Sequence, residues 1–266
     1  MIKFFRKIRQ NLLMENPPAG RAGKTGKPAW PAGRYFKYAI GEIFLVVIGI
    51  LIALQINNWN ENVKKLQQEK IYYCKIKGDL ESDKININRS LESLNERISS
   101  AKRALNNLYD GVDDKSVILE DYLSAIRSIK FLPNKLAIQD IVSSGKLENL
   151  KNANLKDVII RHYSDLDGAL NRIFANTEDA SKYVYEYNLS DFGIHQLSLY
   201  ENDFGNELLE KMPNVNWTSD KNNLVYKKFQ DHMSICIIVS SREKQLLKQV
   251  LLSTENLISE LEYNCE

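Results

Sequence analysis

The stretch YAIGEIFLVVIGILIALQI, residues 38–56, decides the architecture of this chain. Its nineteen residues form an almost unbroken apolar run, and a helix of that length covers about 28 Å at its usual rise per residue. Because the hydrocarbon core of a bilayer is about 30 Å thick, the run predicts one transmembrane helix.

A cleaved signal peptide and a buried core helix are the alternatives for this run. The apolar region of a signal peptide is usually about 7–15 residues long and precedes a small-residue cleavage site. The sequence that follows Ala53, LQINNWNE, offers no Ala-x-Ala pattern. A core helix of such length beside a strongly basic flank would be unusual. We therefore favour an uncleaved signal anchor.

Charge is distributed unevenly about the run. Residues 1–37 hold nine basic residues and one acid, a charge of +8, which leaves −6 for the rest of a chain of net charge +2. The positive-inside rule predicts a cytoplasmic N-terminus and places the C-terminal domain across the membrane. Such a segment could bind nucleic acid, but the neighbouring span favours an anionic lipid surface and no nucleic-acid partner.

Residues 1–15, which begin MIKFFRKIRQNLL, predict a second membrane contact. Apolar side chains can share one helical face and basic ones the other, which is typical of an amphipathic helix lying on anionic lipid. Packing on a partner protein is the alternative. The predicted lipid-surface residues are Lys3, Arg6, Lys7 and Arg9.

Residues 16–37 contain Gly23-Lys24-Thr25, the end of a nucleotide-binding P-loop. A P-loop requires a further glycine at position 18, which is proline here. Prolines also follow the motif and oppose the helix that it needs. Because Pro-Ala-Gly-Arg occurs at both 18–21 and 31–34, we interpret the segment as a flexible basic linker, with no cofactor.

Three residues of the span are candidates for an intramembrane contact. Glu42 is the ionisable residue of the run, and it indicates either a polar contact within the membrane or a side chain that reaches the headgroups. Gly49 and Ala53 have the small-xxx-small spacing of closely packed membrane helices. Together they suggest a partner helix or a second copy of the chain.

Residues 57–266 predict an all-α domain, an antiparallel helical bundle with long helices. From Ile87 to Leu108 apolar residues recur at 4-3-4-3 spacing, which fits a coiled-coil seam or the core face of a bundle. Since further helices follow, we favour the bundle.

Glycine and proline predict where these helices end. Asp110-Gly111 ends the first, Pro133 breaks a helix over 117–129, and Gly145 closes the next. Two more long helices are expected, from about 153 to 189 and from a cap at 218–220 to about 263, with an irregular excursion between them.

The cysteines form no Cys-x-x-Cys pair. Cys74 and Cys236 could lie on neighbouring helices and form a disulfide, a pairing that sequence alone leaves open. Cys265, near the C-terminus, is expected to be mobile.

Other side chains that often carry chemistry are scattered. The three histidines have no metal-ligand spacing, and His162 and His232 are expected at the edge of the core or partly exposed. Tyr183, Tyr185 and Tyr187 are interpreted as packing residues rather than a ligand site. No catalytic or metal-binding residues are therefore predicted, and the protein is expected not to be an enzyme.

The segments MIKFFRKIRQNLL and YFKYAIGEIFLVVIGILIALQINNWNE resemble the start of an uncharacterised family of bacterial single-span membrane proteins. The resemblance is close over residues 1–15 and 35–61 and looser beyond, as in SSGKLENLKN at 143–152. It implies no activity, but it implies a Gram-negative inner-membrane protein with a periplasmic C-terminal domain. The long linker departs from the pattern of the family.

The expected function is therefore a membrane-anchored periplasmic helical interaction module without enzymatic activity. Its expected partners are membrane lipids and either a second copy or another envelope protein. The alternative is a small-molecule sensor that signals through a partner, because the cytoplasmic segment of about 37 residues is too short for an output domain of its own.

Overall fold

The computed structural model describes residues 32–127, 129–186 and 189–265. All regular secondary structure in these residues is helical, as the sequence predicts. The α-helices are α1 (Ala32–Asp110), α2 (Lys115–Ile126), α3 (Leu136–Ser143), α4 (Ala153–Tyr185), α5 (Ser198–Phe204), α6 (Asn206–Leu209) and α7 (Leu224–Cys265). Short 3₁₀ turns occupy Lys146–Asn149, Leu189–Phe192 and Ile194–Gln196.

The chain divides into two compact units, Met1–Trp59 and Asn60–Glu266. In the first unit, residues 39–59 of α1 are exposed throughout. Of the described helices, α1 is long and apolar enough to cross a membrane, and none of its apolar 18-residue window is buried. The predicted lipid-surface residues Lys3, Arg6, Lys7 and Arg9 lie outside the described residues.

The second unit is a bundle with four helical positions. Helix α7 runs antiparallel to α1, because Lys77 pairs with Glu262 at 3.1 Å and Lys84 with Glu255 at 2.9 Å. It also runs antiparallel to α4, since His162 lies 2.8 Å from Ser253 while Tyr183 contacts Asp231. Helices α1 and α4 are therefore parallel, and α2 and α3 together fill the remaining position.

The buried apolar side chains form two clusters. The first cluster lies among α1, α3, α4 and α7, and includes Ile76, Leu80, Ile159 and Leu247. The second cluster lies among α1, α2 and α7, and the segment between α4 and α7 adds Phe192 and Trp217 to it. The predicted apolar seam runs through both clusters, which confirms it as the core face of a bundle. Ile87, Leu91, Leu94, Ala101 and Leu108 are buried, and Ile98 and Leu105 are half-buried.

Most predicted helix ends are close to those observed. Helix α1 ends at Asp110, Asp114 caps α2 by accepting a 2.9 Å hydrogen bond from Ser116 N, and Gly145 follows α3 with φ +68°. The start predicted for the last helix at 218–220 is wrong. Trp217 is fully buried in the second cluster, which holds the chain in a turn, and α7 begins at Leu224 beside Asn223.

The segment between α4 and α7 is irregular, as predicted, but it is packed onto the bundle. Trp217 Nε1 donates to Phe192 O at 3.0 Å inside the second cluster. Lys115 Nζ, at the start of α2, donates to Gln196 Oε1 and to Asn214 Oδ1, each at 3.0 Å. Lys115 of α2 therefore binds this segment at two positions.

The cysteines do not occupy the expected places. Cys236 is buried in the second cluster, whereas Cys74 Sγ lies 3.8 Å from Cys265 O. Cys236 and Cys265 are separated by about 43 Å along α7, so Cys74 does not pair with Cys236, a question that the sequence leaves open. Cys265 is the last residue of α7 and packs against the first cluster rather than lying in a free tail. All three thiols are free.

Candidate functional site

Polar side chains of α1 bind the main chain on both sides of the break between α2 and α3. Arg97 Nε donates to Ala125 O, in the last turn of α2, at 3.0 Å. Asp83 Oδ1 accepts from Asn134 N at 2.7 Å, and Asp79 Oδ2 accepts from Ala137 N, in the first turn of α3, at 2.8 Å. A cation at a helix C-terminus and a carboxylate at an N-terminus each complement the helix dipole. Side chains of α1 therefore supply hydrogen-bond partners to the main chain on both sides of the break at Pro133.

Arg97 also faces Glu243 of α7 across the bundle interior. The pair is 4.0 Å apart, and the two side chains are 9% and 6% exposed. Arg97 Nη1 and Glu243 Oε2 are buried without a hydrogen-bond partner, and burial raises the pKa of Glu243. The pair lies where the first cluster ends and the second begins, between Leu94 and Ala101 of α1.

Two small clefts border this pair. One is lined by Lys130, Phe131 and Glu243 and has a volume of about 10 Å³, and the other, lined by Arg97 and Cys236, has about 30 Å³. Volumes of this size hold a water molecule and no larger ligand. The pair is therefore a polar layer in the core rather than a ligand pocket.

Asp83 is a buried carboxyl with an altered acidity. Its side chain is only 1% exposed, and burial raises its pKa to about 6, against the opposing effect of the hydrogen bond from Asn134 N. The neighbouring Asp79 raises the pKa further, and Lys135 lowers it. This carboxyl serves a structural contact, because it holds the main chain that leads into α3.

The histidines are more deeply buried than the sequence suggested, so their prediction as core-edge residues is wrong. His162 is 4% exposed and His232 is 0% exposed. His232 Nδ1 lies 3.1 Å from Tyr122 Oη, and His162 Nδ1 lies 2.8 Å from Ser253 Oγ. Burial lowers the pKa of both imidazoles to about 4, so both are neutral at physiological pH.

The tyrosines at the end of α4 differ from one another. Tyr183 packs its ring 5.7 Å from that of His232, as expected of a packing residue. Tyr185 is 64% exposed, so the same prediction is wrong for it. Tyr187 lies outside the described residues.

A groove of about 300 Å³ lies between α4 and α7. Small residues of α4 widen it at Ser164 and Gly168, and α7 contributes Gln249 and Ser253. His162, Asp165 and Arg172 also line it. Sequence reasoning missed this groove, and the signal that could have indicated it is a glycine within a helix flanked by an acid and an arginine on the same face.

The predicted intramembrane residues lie together on one stripe of α1. Glu42, Gly49 and Ala53 are all exposed, at positions that share a helical face. A Cβ atom added to Gly49 would meet nothing within 4 Å. Among the described residues, no group of three His, Cys, Asp or Glu side chains could hold a metal ion.

Comparison with known proteins assigns the family. The model of a family of unknown function, DUF6090, matches residues 42–225, more than half of the chain. The chain therefore belongs to this family. The match begins in the apolar run and continues through α6 to the first residues of α7, whereas the resemblance over residues 1–15 falls outside it. No curated protein and no solved structure matches the chain.

Proposed function

We propose that this protein is a single-span protein of a bacterial inner membrane, with a cytoplasmic N-terminus and a periplasmic helical domain that binds other proteins. The observation that carries the proposal is the exposed apolar segment of α1, none of which is covered by the rest of the described chain. Such a surface is stable in lipid or against another apolar helix. The basic residues on its N-terminal side support the orientation.

The proposed partners follow from the two membrane-directed surfaces. Lys3, Arg6, Lys7 and Arg9 would bind anionic lipid on the cytoplasmic face. Glu42, Gly49 and Ala53 would contact a second copy or a span of another envelope protein, because small residues let two helices approach closely.

We propose a binding role rather than an enzymatic one. Three polar side chains of α1 that could serve catalysis have structural contacts: Asp79 binds the start of α3, Asp83 binds the main chain just before it, and Arg97 binds the end of α2. Glu69 accepts from Tyr73 Oη and from Lys151 N, the latter just before α4. Side chains committed to holding helix ends are poorly placed to turn over a substrate.

Topology reporters test the membrane proposal. Alkaline phosphatase, which is active only outside the cytoplasm, is fused after Asn60 and after Cys265, and a cytoplasm-active reporter is fused at the N-terminus. All three fusions should be active. An inactive phosphatase at both positions would contradict the orientation.

Photo-crosslinking tests the contact within the membrane. A crosslinking amino acid at Gly49 should give a crosslinked product in native membranes, and the same amino acid at Leu51, on the opposite face of α1, should give much less. Equal yields at the two positions, or none at either, would contradict a specific helix contact. Mass spectrometry of the product distinguishes a second copy from another protein.

Small-molecule sensing is a second candidate function, and the groove between α4 and α7 favours it. A groove of about 300 Å³ with polar side chains on both walls is at the lower end of the range for small-ligand sites. A sensor of this kind would transmit ligand binding to a partner through the span. Ligand-dependent change in the Gly49 crosslink is the measurement that tests it.

A further inference from the structure

The antiparallel packing of α1 and α7 brings Cys74 and Cys265 together. They stand 191 residues apart in the sequence, yet Cys74 Sγ lies 3.8 Å from Cys265 O. One helical turn away, Lys77 Nζ pairs with Glu262 Oε1 at 3.1 Å, which fixes the register of the two helices at this point. Both cysteines are free and half-buried, and Cys265 packs against the first cluster. The contact is therefore part of the folded bundle.

The two thiol groups also interact with each other. Burial raises the pKa of Cys265 to about 12, together with a side-chain hydrogen bond to Cys74 and repulsion from the Cys74 thiolate. The positive charges of Lys77 and Lys70 act in the opposite direction. A hydrogen bond between two thiols requires neighbouring sulfur atoms, so the side chains, and not only the main chain, meet here.

The position of Cys265 at the end of α7 allows a covalent bond between these sulfurs. A disulfide needs two Cα atoms about 4.4–6.8 Å apart, whereas the axes of packed helices are usually about 8–10 Å apart. Cys265 is the last residue of α7, and the last turn of a helix is its least constrained part. Its main chain can therefore approach α1 while the rest of both helices stays in place.

We propose that Cys74 and Cys265 form an intramolecular disulfide that links the end of α7 to α1. The bond is expected in an oxidising compartment, so its formation in cells rests on the periplasmic location given under the proposed function. Cys236 takes no part, because it is buried in the second cluster, about 43 Å from Cys265 along α7.

The bond forms by thiol–disulfide exchange with a second disulfide, which is the oxidant. The Cys74 thiolate attacks one sulfur of the oxidant, releases a first thiol and leaves a mixed disulfide on Cys74. The Cys265 thiolate then attacks Cys74 Sγ, which forms the protein disulfide and releases a second thiol. The cysteines lose two electrons to the oxidant, and their protons end on the two released thiols. Cys74 reacts first, because the raised pKa of Cys265 leaves less of it as thiolate.

Peptide mass spectrometry of the full-length protein tests the proposal. Native membranes are denatured in the presence of N-ethylmaleimide, which blocks free thiols, and the protein is then digested without reductant. The peptide that contains Cys74 should be joined to the peptide that contains Cys265, and Cys236 should be alkylated. Alkylation of all three cysteines, both in membranes and after the purified protein has been treated with oxidised glutathione in micelles, would overturn the proposal.

Oxidised glutathione separates the pairing from the location of the domain. A bond that is absent in cells but forms when oxidised glutathione is added to the reduced protein upholds the pairing and contradicts the periplasmic location. A bond present in cells supports both.

Cysteine variants identify the two partners. Cys74→Ser should leave Cys265 open to alkylation after denaturation, and Cys265→Ser should do the same for Cys74. Cys236→Ala is the matched control and should form the disulfide as the parent protein does. An intramolecular disulfide that persists in Cys265→Ser, or that is lost in a folded Cys236→Ala variant, would overturn the assignment of the pair.

The disulfide should also stabilise the bundle. It joins residues 191 positions apart, and a cross-link over a long loop restricts the unfolded chain strongly. Oxidation of the parent protein in micelles should therefore raise its thermal midpoint by about 5 °C or more, whereas that of Cys74→Ser should not respond to the oxidant. A midpoint that falls on oxidation of the parent would show that the bond distorts the folded register, and would overturn its role as a link between α1 and α7.

Discussion

Arg97 of α1 and Glu243 of α7 face each other inside the bundle, with 4.0 Å between Nη1 and Oε2. They stand 146 residues apart in the sequence and meet at the boundary between the two apolar clusters. Because Arg97 also holds the end of α2, a single side chain connects three of the four helical positions of the bundle.

Removal of one partner of this pair should be strongly destabilising. Arg97→Met leaves the Glu243 carboxylate buried without its counter-charge and deletes the hydrogen bond to Ala125 O, so we expect a loss of about 3–5 kcal/mol in the free energy of unfolding. Urea unfolding of the full-length protein in micelles, followed by circular dichroism, measures it.

The double variant Arg97→Met, Glu243→Met is the control for that prediction. It replaces both charges with apolar side chains. Its loss in the free energy of unfolding should be clearly smaller than the sum of the losses for Arg97→Met alone and Glu243→Met alone. Additive losses would show that the two side chains do not interact in the folded protein.

The raised pKa of Asp83 predicts that the stability of the protein depends on pH. Its pKa is about 6 in the folded protein and about 3.9 in an unfolded chain, so the folded state binds more protons between these values. Stability from this group is therefore present at low pH and lost as the pH rises through about 6. Asp83→Asn keeps an oxygen for Asn134 N without ionising, so it should stabilise the protein at pH 7 and have little effect at pH 4.

Asp167→Asn is the control for the Asp83 variant, because Asp167 is an exposed carboxylate that pairs with Lys135. The effect of Asp167→Asn on the free energy of unfolding should not become more stabilising between pH 4 and pH 7. If Asp83→Asn changes stability equally at both pH values, the buried carboxyl is not the titrating group.

Gly193 should not tolerate a side chain. Its φ of +81° disfavours other residues, and an added Cβ atom would lie 2.9 Å from Lys115 Nζ. Gly193→Ala should therefore cost about 1–3 kcal/mol of unfolding free energy. Gly111→Ala, with φ +71° and nothing within 4 Å, is the matched control and should cost about 1 kcal/mol. In a Lys115→Ala background the difference between the two variants should shrink, and a difference that persists would contradict a clash with Lys115.

The thiols should react in a fixed order. Cys236 is 5% exposed and burial raises its pKa, so alkylation of the native protein should leave it unmodified. Cys74 and Cys265 are both partly exposed, but burial raises the pKa of Cys265 to about 12, so Cys74 should be labelled first in the reduced protein. Mass spectrometry of peptides after timed alkylation gives the order, and early labelling of Cys236 without urea would contradict the packing of the second cluster.

Local signals in the sequence account for most of the helices. The apolar spacing from Ile87 to Leu108, the proline at 133 and the glycine at 145 act on their own neighbourhood, so they could be interpreted without knowledge of the fold. The start of α7 could not, because it depends on how Trp217 packs against residues far away in the chain.

The polar features were beyond prediction for the same reason. The contact of Asp83 with Asn134, the burial of His162 and the groove beside Gly168 all depend on the register between helices. Periodicity reveals which face of a helix is buried, but it does not fix how far one helix slides along the next.

The separation of the core into two clusters implies that the bundle need not open as a whole. The second cluster draws part of its packing from an irregular segment, through Phe192 and Trp217, whereas the first is built almost entirely from helices. Subglobal opening should therefore begin at the second cluster. It should extend as far as Arg97 and Glu243, which lie at the boundary with the first cluster. Native-state hydrogen exchange would then resolve two cooperative units, with faster exchange in α2 than in the middle of α4.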